Sequence, residues 1–498
     1  MTNALDDATQ ETLEAIAKAQ TAGITSSTGI VSYDLSQLVT LIPVVTPFRD
    51  FVARVKSNDG SKFAIWRAIM NTTNSQPDPA IPFDWAANET VFQEQDFQAN
   101  YKPTGLAGMV TQDAFDLALG YDDPYATATF NVLNQVLIGD ERKLIGAQSF
   151  ALPAAAAPTL TQHASGGTIG TGTFYVAVAG RTGSGYFYGS GNSQGAASTG
   201  TTFGSGAANS ITAVATAQRG AVAYDWFFSS NGTTYFYYTT TTVNTVTVTS
   251  AITAASALPS ATACPDLTTN WKGAAGVPTL NLAADNGSAN TADYDGLLAS
   301  LSGDYNGVGQ WVTQGTATAN PSSWNSLNGA ALTLTGGTVN EIQEYLFQPL
   351  WTAIKASPTA IMMNAYHAQE VANLILQSSS ATTFLNTDAS GRINVVAGGR
   401  VGEIVNAPAG GVTVPIEVHV SLPPGTIIAR TDRVPFPQAQ ISNVLEYRAL
   451  RDMAQFDYGI SRVAGVAGGG PRREFEIRSM GAFVNRAPVA MAALTCVA

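Results

Sequence analysis

The stretch from residue 151 to residue 260 carries only three charged side chains, and this feature limits most strongly what the chain can fold into. The three are Arg181, Arg219 and Asp225. Apolar and aromatic residues come in short runs between them, and Gly, Ser and Asn separate the runs. Such a pattern is typical of successive β-strands. The sequence predicts strands at 173–179, 185–189, 210–217, 221–228, 233–239 and 243–249.

A two-sheet sandwich of the immunoglobulin type is the arrangement favoured by so many short strands in about 100 residues. The pair Asn231-Gly232 in "SSNG" predicts a type I′ hairpin turn, since both residues of that turn need a positive φ. Three tyrosines have two interpretations: they fill the sandwich core, or they are exposed contact points at strand edges. These are Tyr186, Tyr188 and Tyr238.

A mixed α/β pattern surrounds this block on both sides. Two strand-like runs, Lys62–Met70 and Val91–Tyr101, enclose a Pro-rich segment and predict a long hairpin that is too thin to have its own core. A helix of some 24 residues is predicted after the N-cap Asp123, with Pro124 in its first turn. Its apolar stripe is predicted at Phe130, Leu133, Leu137 and Leu144.

Helix and strand signals continue after the uncharged block. Thr338 and Glu341 predict a capping box, and Pro349 predicts a kink in the helix that follows. Residues 359–364 read as a buried strand, with Asn364 capping the next helix. Beyond Arg392 the pattern is mostly strands. The sequence therefore predicts a mixed α/β protein that a β-sandwich interrupts.

Charge and hydrophobicity point to a protein with large interfaces. Charged residues make up 12% of the chain and hydrophobic residues 45%, so there is enough apolar surface for a core and for contacts with other chains. The net charge of −12 does not steer the protein to phosphate backbones, which argues against specific nucleic-acid binding. The N-terminus has no signal-peptide pattern and no run is long enough for a transmembrane helix, so we expect folding in a cytosol.

Residues that could carry chemistry are few and scattered. His163, His367 and His419 are not at metal-ligand spacing from cysteines, so structural roles are expected for them. Asn386 and Asp388 could hold a hard cation, but a polar turn is the simpler interpretation. Cys264 and Cys496, the two cysteines, are expected to be reduced and buried. The sequence predicts no catalytic residues, no cofactor and no metal site.

Three motifs carry a resemblance to a known family. They are "TPFRDFVARV", "GRVGEIVNAPAGGVTVPIEVHVSLPPGTIIA" and "FVNRAPVAMAALT". In these motifs, and in the order of arm, hairpin, long helix and late strands, the chain resembles the HK97-type major capsid proteins of tailed bacteriophages, most of all the SU10-like group. The resemblance covers most of residues 25–150 and 270–498. The block between them resembles immunoglobulin-like domains inserted in phage structural proteins.

The resemblance implies an α+β, HK97-like capsid fold with a definite division of the chain. The implied parts are an N-terminal arm at 1–55, an extended loop at 56–108, a peripheral domain with its spine helix at 109–150, the inserted sandwich at 151–265, a mainly axial domain at 266–425 and peripheral strands at 426–498. Lys62 lies at the base of the hairpin and has no identifiable acceptor, so the covalent crosslink of the best-known member is not expected here.

The function that the resemblance implies is that of a major capsid protein. It would be made in the host cytoplasm and would assemble as pentamers and hexamers into the icosahedral virion shell. That shell would enclose double-stranded DNA without sequence-specific binding, contact portal or decoration proteins and bind no membrane. The alternatives are an encapsulin-like cellular compartment, a surface adhesin or carbohydrate-binding β-protein, and an enzyme with a β-accessory domain.

Overall fold

The computed structural model describes residues 43–57, 62–72, 80–87, 92–118, 123–149, 152, 155–188, 196–232, 235–251, 293–302, 324–335, 338–355, 357–377, 386–387, 393–394, 402–434, 441, 443–461 and 470–498. These ranges combine a body sheet with a long helix, a thin hairpin, a six-stranded sheet with further helices, and a two-sheet sandwich. This mixture confirms the predicted α+β class. Within these ranges no helix is long and apolar enough to span a membrane.

The body sheet has the strand order β1-β22-β23-β4, in which β1 runs parallel to β22 and the other pairs are antiparallel. A long helix, α3, covers one face, where Val136 packs against Phe475 and Ile477. The strands are β1 (Ala53–Lys56), β4 (Lys102–Thr111), β22 (Leu445–Ser461) and β23 (Arg472–Asn485). The helices of this region are α1 (Pro47–Phe51), α2 (Gln112–Leu117) and α3 (Pro124–Gly146).

Helix α3 begins where the sequence predicts, because its cap satisfies the first backbone donors. The Asp123 carboxylate accepts hydrogen bonds from the N–H groups of Tyr125 (3.0 Å) and Ala126 (3.1 Å). Pro124 occupies the first position of the helix, where a missing N–H costs nothing.

The buried face of α3 differs from the predicted apolar stripe. Leu144 is buried as predicted, but Phe130 is 55% exposed, so that part of the stripe is wrong. The buried face passes instead through Val136 and two acidic residues, Asp140 and Glu141. Charged residues are rarely buried without partners, so this pair marks a place where other groups must compensate.

The predicted hairpin is present as β2 (Phe63–Thr72) and β3 (Phe92–Asn100), which pair antiparallel with each other. Of the described strands, none adds to this two-stranded sheet. It packs on the body through a cluster formed by Ala64, Ala99, Tyr101, Ala482 and Val484, and further along through Phe97, which packs with Trp66, Ala68 and Val489. The Tyr101 hydroxyl also lies 2.7 Å from the Ser57 hydroxyl.

The six-stranded sheet has the order β13-β24-β21-β16-β20-β19 and mixes parallel and antiparallel pairs. Its strands are β13 (Trp324–Ser326), β16 (Ala360–Met363), β19 (Glu403–Asn406), β20 (Val412–Val418), β21 (Ile427–Arg430) and β24 (Ala492–Thr495). The minor elements of this half of the chain are α5 (Leu297–Ser302), β14 (Leu334–Thr335), β15 (Thr338–Val339), β17 (Asn386–Thr387), β18 (Ile393–Asn394) and a 3₁₀ turn (Pro488–Ala490).

A helical run crosses the six-stranded sheet without a break at Pro349. It consists of α6 (Asn340–Ile342), a π-helical turn (Gln343–Phe347) and α7 (Gln348–Ile354), and α8 (Ala365–Gln377) follows β16. Proline has no N–H, so in an α-helix Pro349 would leave the Tyr345 carbonyl without its partner. The Asn325 side-chain amide donates to that carbonyl across 2.7 Å. The predicted disturbance at Pro349 therefore appears as a π-helical turn with an external donor.

The two predicted helix caps in this region have different outcomes. The capping box at Thr338 and Glu341 is wrong, because Thr338 lies in β15 and the Glu341 carboxylate accepts from the Thr333 N–H (2.7 Å) instead. The cap at Asn364 is confirmed, because its side-chain oxygen accepts from the Tyr366 N–H across 3.1 Å.

The uncharged block forms two sheets that share one core. One sheet has the order β11-β10-β6-β7, with β8 also paired to β6, and the other has the order β12-β9-β5. The strands are β5 (Thr159–His163), β6 (Gly172–Arg181), β7 (Ala196–Ala197), β8 (Thr201–Phe203), β9 (Ser210–Val214), β10 (Ala223–Ser229), β11 (Phe236–Thr241) and β12 (Thr245–Val248). Every residue of β10 is buried, Trp226 among them.

Two local predictions in this block are wrong. The strand predicted at 185–189 is wrong for its described residues, 185–188, which belong to helix α4 (Gly183–Tyr188). The Thr182 hydroxyl accepts from the Gly185 N–H (2.9 Å) at the start of this helix, and Tyr186 packs against the body core. The two-residue turn at "SSNG" is also absent. The Ser229 hydroxyl accepts from the N–H groups of Asn231 and Gly232. The pair of residues between β10 and β11 that lies next to this loop is Phe228 with Phe236.

The sandwich core is completed by a residue from outside the block: Cys496, which follows β24, packs into it. The Cys496 thiol lies 3.6 Å from the Tyr224 hydroxyl. The Asn244 side-chain amide donates to the Asn328 side chain across 3.2 Å. The sandwich is therefore fastened to the rest of the subunit at several points, and its boundaries as a separate domain stay a prediction.

Candidate assembly surfaces and the junction behind them

The far end of the hairpin exposes large apolar side chains. Ile81 is 52% exposed, Phe83 99% and Trp85 74%. The Trp85 N–H donates to the Pro82 carbonyl across 3.2 Å, and Asp84 has a φ of 67°, so these residues form a tight turn. We call Pro82–Trp85 the aromatic turn. Exposed apolar groups of this size in one place are typical of contact surfaces.

A second group of exposed apolar side chains lies on the body sheet and its neighbouring helices. It comprises Leu106 and Met109 on β4, Leu117 in α2 and Phe130 in α3. Leu117 is 84% exposed. Beside Leu106, an open cavity of about 340 Å³ lies between β4 and α3, and Val136, Ile138, Arg142 and Lys143 also line it. We call it the β4–α3 cavity.

The acidic pair on α3 holds the segment that precedes β1. Glu141 is fully buried, and its carboxylate accepts from the backbone N–H groups of Phe48 (3.1 Å) and Arg49 (2.6 Å). These are the second and third residues of α1, whose own Thr46 makes no side-chain cap. A carboxylate from another helix thus satisfies the donors that an N-cap side chain usually satisfies.

Asp140 completes this junction with two ion pairs. It is 1% exposed and accepts from Arg49 Nε across 3.0 Å and from an Arg54 terminal nitrogen across 2.6 Å. The Tyr294 hydroxyl lies 3.5 Å from it. Burial, together with the negative charge of Asp140, raises the pKa of Tyr294, so this phenol stays protonated and donates. Removing one partner of a buried ion pair typically costs about 3–5 kcal/mol.

His419 ties the six-stranded sheet to the same junction. It is 2% exposed, with Nε2 3.4 Å from the Glu417 carboxylate and Nδ1 3.9 Å from that of Glu141. Burial alone lowers the pKa of His419, but the nearby carboxylates of Glu141 and Glu417 favour its charged form, outweigh burial and raise the pKa. Arg430 lies on the other side of Glu417, at 2.7 Å and 3.1 Å, and its guanidinium lies 3.7 Å from the centre of the Phe51 ring.

The histidines and the cysteine singled out from the sequence have structural positions. His367 is buried, with Nδ1 2.8 Å from the Glu370 carboxylate and Nε2 accepting from the Gly425 N–H across 2.7 Å. His163 lies 3.0 Å from the Thr212 hydroxyl. Cys496 is free and buried, as predicted. Across the described ranges no group of His, Cys, Asp or Glu is arranged to hold a metal ion.

Two of the three tyrosines with open interpretations belong to cores. Tyr186 packs against the body core, and Tyr238 packs against the sandwich core with its hydroxyl 3.3 Å from the Thr247 carbonyl. The sandwich-core interpretation is confirmed for Tyr238 and is wrong for Tyr186, which packs against the body instead.

Four other positions predicted from the sequence lie wholly or partly outside the described residues. Cys264 and Asp388 are outside them, as are the side chains of Tyr188 and Asn386. The cation-site alternative at Asn386 and Asp388 therefore stays untested. Lys62 is described and is exposed at the hairpin base.

The junction is the part of the structure that sequence reasoning missed, although a signal was present. Glu141 falls at the helical spacing of the predicted stripe, four residues after Leu137 and three before Leu144. An acid in the middle of an apolar stripe predicts a buried polar partner. Its partners, Phe48 and Arg49, belong to the quoted motif "TPFRDFVARV".

Comparisons with known proteins find likeness in structure alone. No protein-family model matches the chain, and no curated protein matches it by sequence. Solved structures similar to it include the capsid of the native GTA particle (10% identity, 96% of each chain covered, TM-score 0.38). The cyanophage A-1(L) capsid asymmetric unit is similar at 10% identity over 94% of this chain and 97% of that chain, with a TM-score of 0.43.

The capsid of the Myoviridae phage XM1 is similar at 7% identity over 95% of this chain and 99% of that chain, with a TM-score of 0.37. Along almost its whole length, then, this chain is similar to chains from phage and GTA capsids.

Proposed function

We propose that this chain is a major capsid protein that assembles into the icosahedral shell around a packaged phage genome. The proposal agrees with the resemblance of the sequence motifs to the HK97-type family. The role is structural, and the partner of each copy is another copy of the same chain.

The observation that carries the proposal is the hairpin. Its two strands have no third strand among the described residues, and its far end exposes Phe83 and Trp85. An isolated two-stranded hairpin is marginal in water, and exposed aromatic side chains at its end add to that cost. Both features make sense when another copy covers the hairpin.

The low charge of the chain supports the same proposal. With 12% charged residues, the surface is suited to contact with other protein surfaces, whose central parts are depleted of charge. The net charge of −12 is unsuited to holding DNA by ion pairs, so the genome would be retained by closure of the shell rather than by tight binding.

The finer divisions belong to this proposal as well. The segment 56–108 would be the extended loop, 109–150 the spine region, 266–425 mainly the axial domain and 426–498 the returning strands. The sandwich at 151–265 would project from the outer face, because the inside of a filled shell is occupied by DNA. Portal and decoration proteins would be the heterologous partners in the virion.

Electron microscopy of the purified chain, with sedimentation at rising concentration, tests the proposal. We expect closed shells of uniform diameter built from pentameric and hexameric rings. A chain that stays monomeric at high concentration in all salt conditions would contradict the proposal. Helical filaments without closed particles would contradict the icosahedral part of it.

A further inference from the structure

A buried histidine holds the turn at which three parts of the subunit meet. His367 of α8 is 1% exposed, and its Nε2 atom accepts a hydrogen bond from the backbone N–H of Gly425 across 2.7 Å. A backbone N–H can only donate, so Nε2 carries no proton in this contact. The ring is therefore neutral, with its proton on Nδ1, which donates to the Glu370 carboxylate across 2.8 Å.

Gly425 lies between β20 and β21 and contacts two other parts of the subunit. It has a φ of 80°, and a β-carbon at this position would lie 2.9 Å from the carbonyl oxygen of Thr242, in the loop between β11 and β12 of the sandwich. The Gly425 carbonyl accepts from the Val497 N–H across 3.2 Å, next to Cys496 in the sandwich core. The N–H that His367 binds thus belongs to a glycine placed between the sandwich and the segment after β24.

Two ionisable groups of α8 itself lie against the ring. The Glu370 carboxylate accepts from Nδ1 whether the ring is neutral or charged, because Nδ1 carries a proton in both states. The Tyr366 ring packs edge-on, with the two ring centres 5.1 Å apart, and a phenol is uncharged near neutral pH. The contact at Nδ1 therefore survives a change in the charge of the ring, and the contact at Nε2 does not.

The strands that pack against α8 bring ionisable groups that are paired elsewhere. These strands are β15 and β20, and β15 has no ionisable side chain. In β20, Glu417 pairs with Arg430, and His419 at its end lies beside Glu141. Both pairs belong to the junction already described.

The turn and the sandwich bring no further charge to the contact. Residues 421–426, Thr242 and Val497 have no ionisable side chains. Burial raises the pKa values of Tyr224 and of the Cys496 thiol on the sandwich side, which keeps both uncharged. Among these groups, His367 is the one whose change of charge alters a hydrogen bond to Gly425.

Protonation of His367 at Nε2 replaces an acceptor with a donor. Two N–H groups would then face each other across 2.7 Å, and a buried N–H without a partner is unfavourable, so the contact must open. The first half of the turn stays attached, because the Asn364 side-chain amide, which does not ionise, donates to the Leu422 carbonyl across 2.8 Å.

We propose that His367 is a proton-operated latch: its neutral ring holds Gly425 against the sandwich, and uptake of a second proton frees Gly425 and loosens the contacts with Thr242 and Val497. Histidine suits this role because its ordinary pKa, about 6.5, lies in the physiological range. The inference concerns the single subunit and goes beyond the proposed capsid function, so neither depends on the other.

Hydrogen exchange of the intact chain at about pH 7.5 and about pH 5 tests the latch. After correction for the intrinsic pH dependence of exchange, we expect protection in peptides that cover Thr242, Gly425 and Val497 to fall at least ~10-fold at the lower pH. Protection in β23 of the body sheet is the internal reference and should stay unchanged. Equal protection of the three peptides at both pH values would overturn the proposal.

His367→Gln shows whether this histidine is the cause. A glutamine amide presents an acceptor to Gly425 that does not ionise, so the variant should keep its protection at the lower pH. His419→Gln is the matched control, because it removes the other buried histidine of this region and should leave the acid response of the Gly425 peptide intact. A response that persists in His367→Gln, or disappears in His419→Gln, would contradict the latch.

A measurement on the unaltered chain decides if a variant fails to fold. The chain has three histidines, so selective nitrogen-15 labelling of histidine gives three sets of ring signals in nuclear magnetic resonance spectra. We expect one neutral ring with its proton on Nδ1 at about pH 7.5, which takes up a second proton by about pH 5. A spectrum without such a ring, or one in which that ring stays neutral at the lower pH, would overturn the proposal.

Discussion

At the scale of single residues, the junction around Glu141 joins three parts of the subunit through buried charge. Glu141 and Asp140 come from α3, Arg49 and Arg54 from the segment around α1 and β1, and His419 from the end of β20. A buried ion pair often stabilises a fold no more than an apolar pair of similar size would, but it requires that two particular charged groups meet. The junction therefore selects one arrangement of arm, helix and sheet.

His419 makes this junction depend on pH. Its pKa is raised in the folded chain, so its contribution to stability is fully present below its unfolded value of about 6.5 and is lost as the pH rises through the folded value. The pKa of Glu417 is lowered, chiefly by its hydrogen bond with His419, so its contribution is present above about 4.5 and is lost as the pH falls through its folded value. His419 and Glu417 together therefore stabilise the folded chain most between about pH 4.5 and about pH 6.5.

We expect His419→Gln to destabilise the unassembled subunit by about 1–3 kcal/mol at pH 6 and by less at pH 9. Denaturant unfolding of both proteins at the two pH values measures the difference. His163→Gln is the matched control, because that ring is exposed and lies beside the Thr212 hydroxyl on the sandwich surface. An equal loss at both pH values would show that His419 acts by packing alone.

At the scale of secondary-structure elements, local sequence signals predicted most strands and helices. They failed where a contact with a distant part of the chain determines the local conformation. The start of α3 follows from Asp123 and Pro124, and the pairing of β2 with β3 follows from their alternating pattern. Residues 185–188 have a strand-like composition but belong to α4, because Tyr186 packs half-buried against the body core. The partners of Glu141 lie more than 90 residues away, beyond the reach of any local pattern.

The helical run around Pro349 gives a prediction at this scale. Asn325→Ala removes the donor to the Tyr345 carbonyl and should cost about 1–3 kcal/mol, because a partly buried acceptor is left without a partner. In a Pro349→Ala background the restored N–H at residue 349 can serve that carbonyl, so the same substitution should cost less. A double-mutant cycle by thermal unfolding measures the coupling, and strictly additive losses would contradict this account.

At the scale of the whole molecule, the sandwich is built into the subunit more firmly than the sequence predicts. A block inserted between two halves of a fold needs only its two ends fastened. Here Cys496, from the end of the following half, lies in the sandwich core, and Arg219 of the block donates to the backbone carbonyl of Ser302. Burial in this core raises the pKa of the Cys496 thiol, which keeps it protonated and unreactive.

We expect Cys496→Ala to loosen the sandwich within the intact chain. Losing its buried thiol should destabilise the region by about 1–2 kcal/mol, within the range for small core truncations. Hydrogen exchange should then become faster in β10 and β12 and stay unchanged in α8. Val214→Ala, an exposed change on the same sandwich, is the control. Unchanged protection of β10 and β12 would show that the sandwich holds its core unaided.

The residues from 472 to 496 have a consequence for the order of synthesis. They supply β23 to the middle of the body sheet, β24 to the six-stranded sheet and Cys496 to the sandwich core. During translation these residues are added after the sheets and the core that they complete. The hydrophobic surfaces made earlier therefore stay partly open during translation, when a nascent chain is most exposed to aggregation. A chain stopped short of residue 472 would leave the body sheet, the six-stranded sheet and the sandwich core without the strands and the side chain that complete them.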